Sequence, residues 1–244
     1  MTRARAASIH LGLSVIIGSV LLVACLLVWY PEPLFRAVGG QRVFLVLLGT
    51  DVMLGPLLTL IVFDSTKKSL KFDLVAIALA QMIALVYGVF TLLIGRPVYV
   101  AALGHRFDLV QANDVDPERR DPREYTVPWS GPKWVGTAMP RDENERRRLI
   151  LMASGETDLG HFPQYHQPLT NMRDELLKNA SPVSSLAKFN PGKDAAIQRW
   201  LADHGRSMDN TVFQGLKARA EDMAVIMDGK TAEVIGIAPF KPWD

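Results

Sequence analysis

Three long apolar stretches dominate the first 95 residues: Ile9–Tyr30, Val43–Phe63 and Leu74–Gly95. Each is as long as the roughly 20 residues a helix needs to cross a bilayer. The pattern therefore predicts a three-span transmembrane anchor over residues 1–95. Beyond Arg96 the apolar runs become short and alternate with polar positions, as in strands with one buried face. Residues 97–103 (PVYVAAL) and 106–112 (RFDLVQA), separated by Gly104-His105, read as a hairpin. Met223–Met227 and Lys230–Ala238, joined by Asp228-Gly229, read as a second. Helical signals fall between them. Asp142 with Glu145 forms a capping box for a helix over Glu143–Ser154 that stops at Gly155. Thr170 is placed to cap a short helix reaching about Asn179, and Asn190-Pro191 to open one ending at Gly205. Ile197, Trp200 and Leu201 lie on one face of that last helix. Residues 113–140 read as an extended loop. The expected fold is three transmembrane helices followed by an exported α+β domain over 96–244. Its small antiparallel sheet would consist of the two hairpins, about four strands, with helices between them.

Charge sharpens the division. Residues 1–95 carry 7 basic and 4 acidic side chains, against 20 and 21 in the remainder. A chain balanced in this way is no basic nucleic-acid binder. Arg3 and Arg5 precede the first span and Lys67, Lys68 and Lys71 lie between the second and third, whereas the first loop holds only Arg36 and Arg42. This bias predicts a cytoplasmic amino terminus and an exported 96–244, in a bacterium the periplasm. The first span could also be read as a cleaved signal peptide, but it is too long for a signal core and WYPEPLF offers no small-residue cleavage site. Trp29 and Tyr30 suit the outer interface. The single cysteine, Cys25, lies within the first span, which excludes an intramolecular disulfide and a cysteine-based zinc site. Almost no cytoplasmic mass remains, so a kinase, cyclase or nucleotide-binding output module has no place.

Asp51 is the most informative residue of the anchor. An ionised side chain about eight residues into a span costs at least a few kcal/mol and usually faces a partner, a cavity or a proton path. Hydrogen bonds to Thr50, Thr59, Gln81 or Tyr87 would satisfy it inside the bundle; a helix of another protein is the alternative. Gly55-Pro56 frees a backbone carbonyl beside it. Ser8/Gly12 and Ser14/Gly18 are small-residue pairs at the spacing that permits close helix packing.

Catalytic constellations are missing from the sequence. His161, His166 and Asp158 have neither helical i, i+4 spacing nor a zinc pattern, and Pro163 opposes a helix there. Ser154-Gly155 belongs to no nucleophile elbow, and no Gly-rich phosphate loop follows a strand. The run around Asp142, Glu143, Glu145 and Arg146–Arg148 suits a solvated helix face or a docking surface. Trp129, Trp134, Trp200 and Trp243 are candidate interface anchors, with Trp200 better suited to the core. The reading assigns no catalytic residue, metal or cofactor.

In order along the chain, WYPEPLF, GTDVMLGPLLTLIVF, KKSLKFDL, RPVYV leading into HRFDLVQANDV, WSGPKWVGTAMP, ERRRLILMASGETDL and the terminal PFKPW resemble the TfpX/TfpZ type IV pilin accessory proteins. The likeness is densest from Trp29 to Val115. It implies a non-enzymatic, multi-pass inner-membrane protein that assists the stability or assembly of the major pilin into type IV pili. The implied partners are that pilin (through its membrane helix and its periplasmic head), other inner-membrane components of the pilus, and membrane lipid. On this reading Asp51, beside Gly55 and Pro56, engages the pilin's membrane helix, while Phe107, Trp129 and Trp134 lie towards its head. Two other classes compete: a periplasmic ligand-sensing module modulating pilus extension, which requires an apolar pocket in 96–244, and a membrane-anchored periplasmic hydrolase, which requires titratable groups converging around His161 and His166.

Overall fold

The computed structural model describes residues 1–116, 126–152 and 158–244. Its first part holds three helices long and apolar enough to cross a membrane: Arg3–Trp29, Gly40–Val62 and Leu70–Ile94. The first comprises α1 (Arg3–Ala24) and a closing π turn, Cys25–Trp29. A single helical turn, α2 (Leu34–Ala37), lies in the loop that follows. The second span is built from α3 (Gly40–Gly49), a π turn at Thr50–Leu54, and α4 (Gly55–Val62). The third is one helix, α5 (Leu70–Ile94). Span two is the centre of the bundle, with α4 against α1 and both α3 and α4 against α5. Small residues set these approaches, as expected where apolar packing cannot distinguish helix from lipid. Gly18 of α1 faces Leu48, and Gly88 of α5 faces Leu47. Arg3 pairs with Asp64 (3.3 Å) and Lys67 with Asp73 (2.6 Å) at the end remote from the sheet.

The chain enters the sheet at once after α5. The strands are β1 (Pro97–Ala102), β2 (Phe107–Gln111), β3 (Lys133–Thr137), β4 (His166–Gln167), β5 (Ser181–Pro182), β6 (Thr211–Lys217), β7 (Met223–Asp228) and β8 (Val234–Ala238). They form one sheet ordered β4-β3-β1-β2-β6-β7-β8, with β5 paired to the free end of β6. This corrects the expected small antiparallel sheet of hairpins. β1 pairs antiparallel with β2, and β7 with β8, but β3 joins β1 and β6 joins β2 in parallel, so the sheet is mixed. The extra strands escaped the pattern for local reasons. β3 lies in the Pro- and Gly-punctuated WSGPKWVG segment, within the stretch expected to be loop; residues 117–125 of that stretch lie outside the described residues. The parallel neighbours also explain why β1 and β2 are buried along their whole length rather than on alternate residues. β8 begins at Val234 rather than Lys230, because Asp228 Oδ1 folds the chain back by accepting from the Lys230 and Thr231 amides (2.9 and 3.0 Å).

The helices of this half are α6 (Glu143–Met152), α7 (Arg173–Asn179), α8 (Leu186–Phe189) and α9 (Asp194–Asp203). Asp142 caps α6 through the Glu145 amide (2.8 Å). The expected end of that helix at Ser154-Gly155 lies outside the described residues. Thr170 is not a cap: it sits inside a 3₁₀ turn, Leu169–Met172, that feeds α7. Nor does Asn190 open α9. Its amide instead ties Leu186 to Lys241, and the helix starts at Asp194. Gly205 ends α9 in the left-handed region (φ 65°), with Arg206 N bonding Leu201 O (2.9 Å) as in a glycine C-cap.

The sheet has an apolar core on each face. α8 and α9 close one, with Leu186, Ile197 and Leu201 on Phe213, Ile226 and Phe240. The other core, around Phe107, Leu216 and Met223, is continuous with Tyr30, Leu34, Phe35, Phe44 and Leu92 of the membrane half. The carboxyl terminus also folds back: Trp243 packs on Gly215, where any Cβ would collide with the indole, and its Nε1 donates to Asp222 (2.8 Å).

The Asp228 turn gives a pH signature. The backbone amides of Lys230 and Thr231 hold its carboxyl below the usual carboxylate range. A depressed carboxylate stabilises the fold at neutral pH and loses that contribution as pH falls through its folded-state pKa. Asp228→Asn should therefore be less stable than wild type at pH 7 by thermal denaturation, and the two curves should converge below about pH 4.

Candidate functional site

The membrane bundle contains one polar seam, and the Gly55-Pro56 sequence creates it. In a π turn a carbonyl bonds to the amide five residues ahead. For Asp51 that residue is Pro56, which has no N–H. The Asp51 carbonyl is instead taken by Gln81 Nε2 of α5, at 3.2 Å. Gly55 makes this possible, since a Cβ there would strike the Gln81 amide. One span supplies a free carbonyl and the gap beside it, and another supplies the donor. One helical turn beyond Gly55, Thr59 of α4 is buried and bonded to His10 of α1 (Nδ1···Oγ1 2.6 Å).

The Asp51 carboxyl is less well provided for. Its Oδ1 is buried without a hydrogen-bond partner among the described residues. Of the residues expected to satisfy it, Thr59 is engaged by His10, Thr50 bonds to Val46 O (3.0 Å), and Tyr87 is exposed. Gln81 alone lies against it, spending a donor on the main chain. An orphaned carboxyl oxygen in an apolar medium costs a few kcal/mol, so the bundle leaves the hydrogen-bonding capacity of this half-buried side chain unspent.

A second arrangement joins bundle to sheet. Arg96, buried between the end of α5 and β1, donates to Leu93 O (2.7 Å) and, through Nε and Nη2, to Pro128 O (3.3 and 3.0 Å). Its guanidinium also lies over the Trp129 ring (5.6 Å to the centroid), which in turn meets Trp29 edge-on at 6.0 Å. No carboxylate lies within ion-pair range of Arg96 among the described residues, and burial lowers its pKa. Tyr30 is 1% exposed; its hydroxyl donates to Leu92 O, and burial pushes its pKa up. The first loop is sewn on as well. Ala220 N and Glu221 N both donate to Ala37 O (2.9 and 3.2 Å), and Arg36 pairs with Glu221 (3.0 Å). Gly131 N donates to Val28 O (2.9 Å).

His161 and His166 of the sheet domain serve the backbone. His161 Nδ1 accepts from Asp158 N (2.9 Å), while Asp158 pairs with Arg106 (2.8 Å). His166 contacts Gly160 O (2.9 Å) and packs edge-on against Tyr99, and burial lowers its pKa. Among the described residues no group of three or more His, Cys, Asp or Glu is placed to hold a metal ion.

Comparison with known proteins fits the membrane half first. Residues 1–39 match the family of Fimbrial assembly protein FimB. The serogroup I fimbrial assembly protein of Dichelobacter nodosus is 25% identical over 232 residues, 92% of this chain and 90% of that protein. The serogroup E1 protein of the same organism gives the same identity and coverage. The fimbrial assembly protein of serogroups C1 and C2 is 34% identical over 99 residues, 40% of this chain and 76% of that protein. The chain belongs to the fimbrial assembly protein family. No solved structure matches it.

In this family member the residues singled out from sequence fall into three places. Asp51, Gly55 and Pro56 share the intramembrane seam, Gly55 and Pro56 buried within it. Phe107 is 0% exposed and packs edge-on against the half-buried Trp134 at 5.8 Å. A side chain with no accessible surface cannot touch a partner, so Phe107 is a core residue and Trp134 its cover. Trp129, 64% exposed, stands beside Trp29 at the end of span one, so its free surface is at membrane level rather than on the distal domain. Trp243 clasps Gly215, and Trp200 stacks on His204 at 3.8 Å. Two functional groups were overlooked. His10 is a second ionisable group within a span, and its signal was a lone imidazole in an otherwise apolar run. Arg96 stands in the sequence as a composition boundary, but a cation opening a wholly buried strand demands acceptors.

The joint can be tested through Arg96. Arg96→Met keeps much of the side chain's bulk and leaves the Leu93 and Pro128 carbonyls without their donor. It should destabilise the full-length protein in detergent by about 2–4 kcal/mol in denaturant unfolding, with protease cleavage appearing first near residues 126–132.

Proposed function

We propose that this protein is a non-enzymatic inner-membrane assembly factor for type IV pili, of the TfpX/TfpZ kind, that binds the major pilin before its incorporation. The sheet domain lies in the periplasm. The observation that carries the reading is the half-buried Asp51 of the central span, whose Oδ1 has no hydrogen-bond partner among the described residues and which a small side-chain movement would present to a neighbouring helix. Around it Met53 and Leu54 project outward from the same π turn, and Gln81 gives one of its two amide donors to the main chain. Such a position attracts a helix that is apolar overall and carries one polar donor, and a hydrogen bond made in lipid has little competition from water. The names of the relatives, all fimbrial assembly proteins, support the same class of role.

Continuity between bundle and sheet fits such a client. A pilin awaiting assembly has a hydrophobic helix in the membrane and a globular head outside it. A rigid holder that spans the same boundary would keep helix and head in a fixed relation until transfer. Trp129, at the membrane end of the domain, is placed to contact the segment where the client leaves the bilayer.

The reading is tested by recovering pilin with the tagged full-length protein from detergent extracts, and by counting surface pili in the same cells. Asp51→Leu should lower co-purified pilin by about tenfold, in line with one hydrogen bond to a charged group. Asp51→Asn, which keeps an acceptor, should retain part of it. Unchanged pilin recovery and normal piliation with both variants would remove Asp51 from the mechanism.

A further inference from the structure

A cavity of about 200 Å³ lies at the joint, between the first turn of α3 and the last turn of α5, beneath the β6–β7 turn. Its walls come from Tyr30, Val38, Val43, Leu92 and Ile94, and its mouth from Gln111, Asn113 and Arg219. Span two begins at Gly40 and span three ends at Ile94. The cavity therefore straddles the boundary between hydrocarbon and headgroups in the domain-side leaflet. Its deep walls are apolar and its mouth is polar.

Charge at the mouth has one sign. Among the described residues no carboxylate lines the cavity. Arg219 makes one hydrogen bond among the described residues, from Nη1 to Gln111 Oε1 (2.9 Å), and the Gln111 amide is fixed in turn on Gly95 O (2.7 Å). The guanidinium is thus oriented by a chain of hydrogen bonds that ends on the carboxyl cap of span three. Its remaining donors have no partner among the described residues. Arg42, in the first turn of α3, is exposed at the same level and has no ion pair among the described residues. A planar guanidinium with free donors matches a phosphate, and the slot below it matches an acyl chain.

We propose that this cavity is a binding site for one anionic phospholipid of the domain-side leaflet, its phosphate on Arg219 and an acyl chain along Val43, Leu92 and Ile94. A neutral-headgroup lipid fits the slot equally but lacks net charge for the guanidinium. The bound lipid would fill the gap between bundle and sheet that the protein's own side chains leave open.

Native mass spectrometry of the delipidated full-length protein, supplied with dioleoyl phosphatidylglycerol or dioleoyl phosphatidylethanolamine, tests this. Wild type should retain one phosphatidylglycerol under activation that strips phosphatidylethanolamine, and phosphatidylglycerol should raise its melting temperature. Arg219→Gln should weaken retention about tenfold, the loss of one charge-assisted contact. Val43→Phe, which fills the slot and leaves Arg219 in place, should weaken it comparably. Arg199→Gln, an exposed arginine of α9 outside the cavity, should behave as wild type. Equal retention of the two lipids, or undiminished retention in either Arg219→Gln or Val43→Phe, would overturn the proposal. Displacement of the lipid by millimolar glycerol phosphate would overturn the acyl-chain assignment.

Discussion

A buried cation held entirely by neutral groups joins the two halves of this molecule. Arg96 has no carboxylate within ion-pair range among the described residues; its guanidinium is distributed over the carbonyls of Leu93 and Pro128 and the face of Trp129. Removing a guanidinium from water is costly unless its fixed fork of donors finds acceptors on every side. Here those acceptors come from the last turn of a transmembrane helix and from a segment of the sheet domain. The charge is satisfied only when both are in place, so it enforces their relative position. The apolar core around Tyr30, Phe35 and Phe107 then continues without a break from the end of the bundle into the sheet.

The bundle follows the same logic of one element completing another. Pro56 deprives a carbonyl of its donor, the π turn places that carbonyl towards α5, and Gly55 leaves room for Gln81 to reach it. A proline within a span is tolerated when a neighbouring helix satisfies the backbone it exposes. The Asp51 side chain has no such neighbour on its Oδ1. The seam is therefore closed at the level of the backbone and open at the level of the side chain.

How much of this was legible in the sequence depends on the range of the interaction concerned. The three spans, the Asp142 cap of α6 and the terminating Gly205 are local, and hydropathy or residue type alone exposes them. β3, β5 and the parallel pairings are not local. Lys133–Thr137 becomes a strand because Tyr99 to Ala102 lie beside it, and nothing in WSGPKWVG announces that neighbour. Asp51 stood out because a carboxylate in an apolar run is anomalous in one dimension. The misreading of Phe107 has the complementary cause. An aromatic residue after a turn can be an anchor or a core residue, and only the covering Trp134 decides. Arg96 and His10 were visible as letters, but their meaning lay in carbonyl and hydroxyl partners on other elements.

The loop at Leu34–Val38 has a further consequence, in time and in mechanics. These residues are synthesised before any strand, yet they complete one face of the sheet's core. The sheet thus condenses against a patch already laid down at the bilayer surface, which serves as its template. The chain crosses between bundle and sheet at Tyr30, between Val38 and Gly40, and again at Gly95, so three covalent struts brace a single footing. A domain mounted on one strut could swivel freely, whereas this one can tilt only if the bundle tilts with it. A load applied to the sheet outside the bilayer is then delivered, undamped, to the helices within.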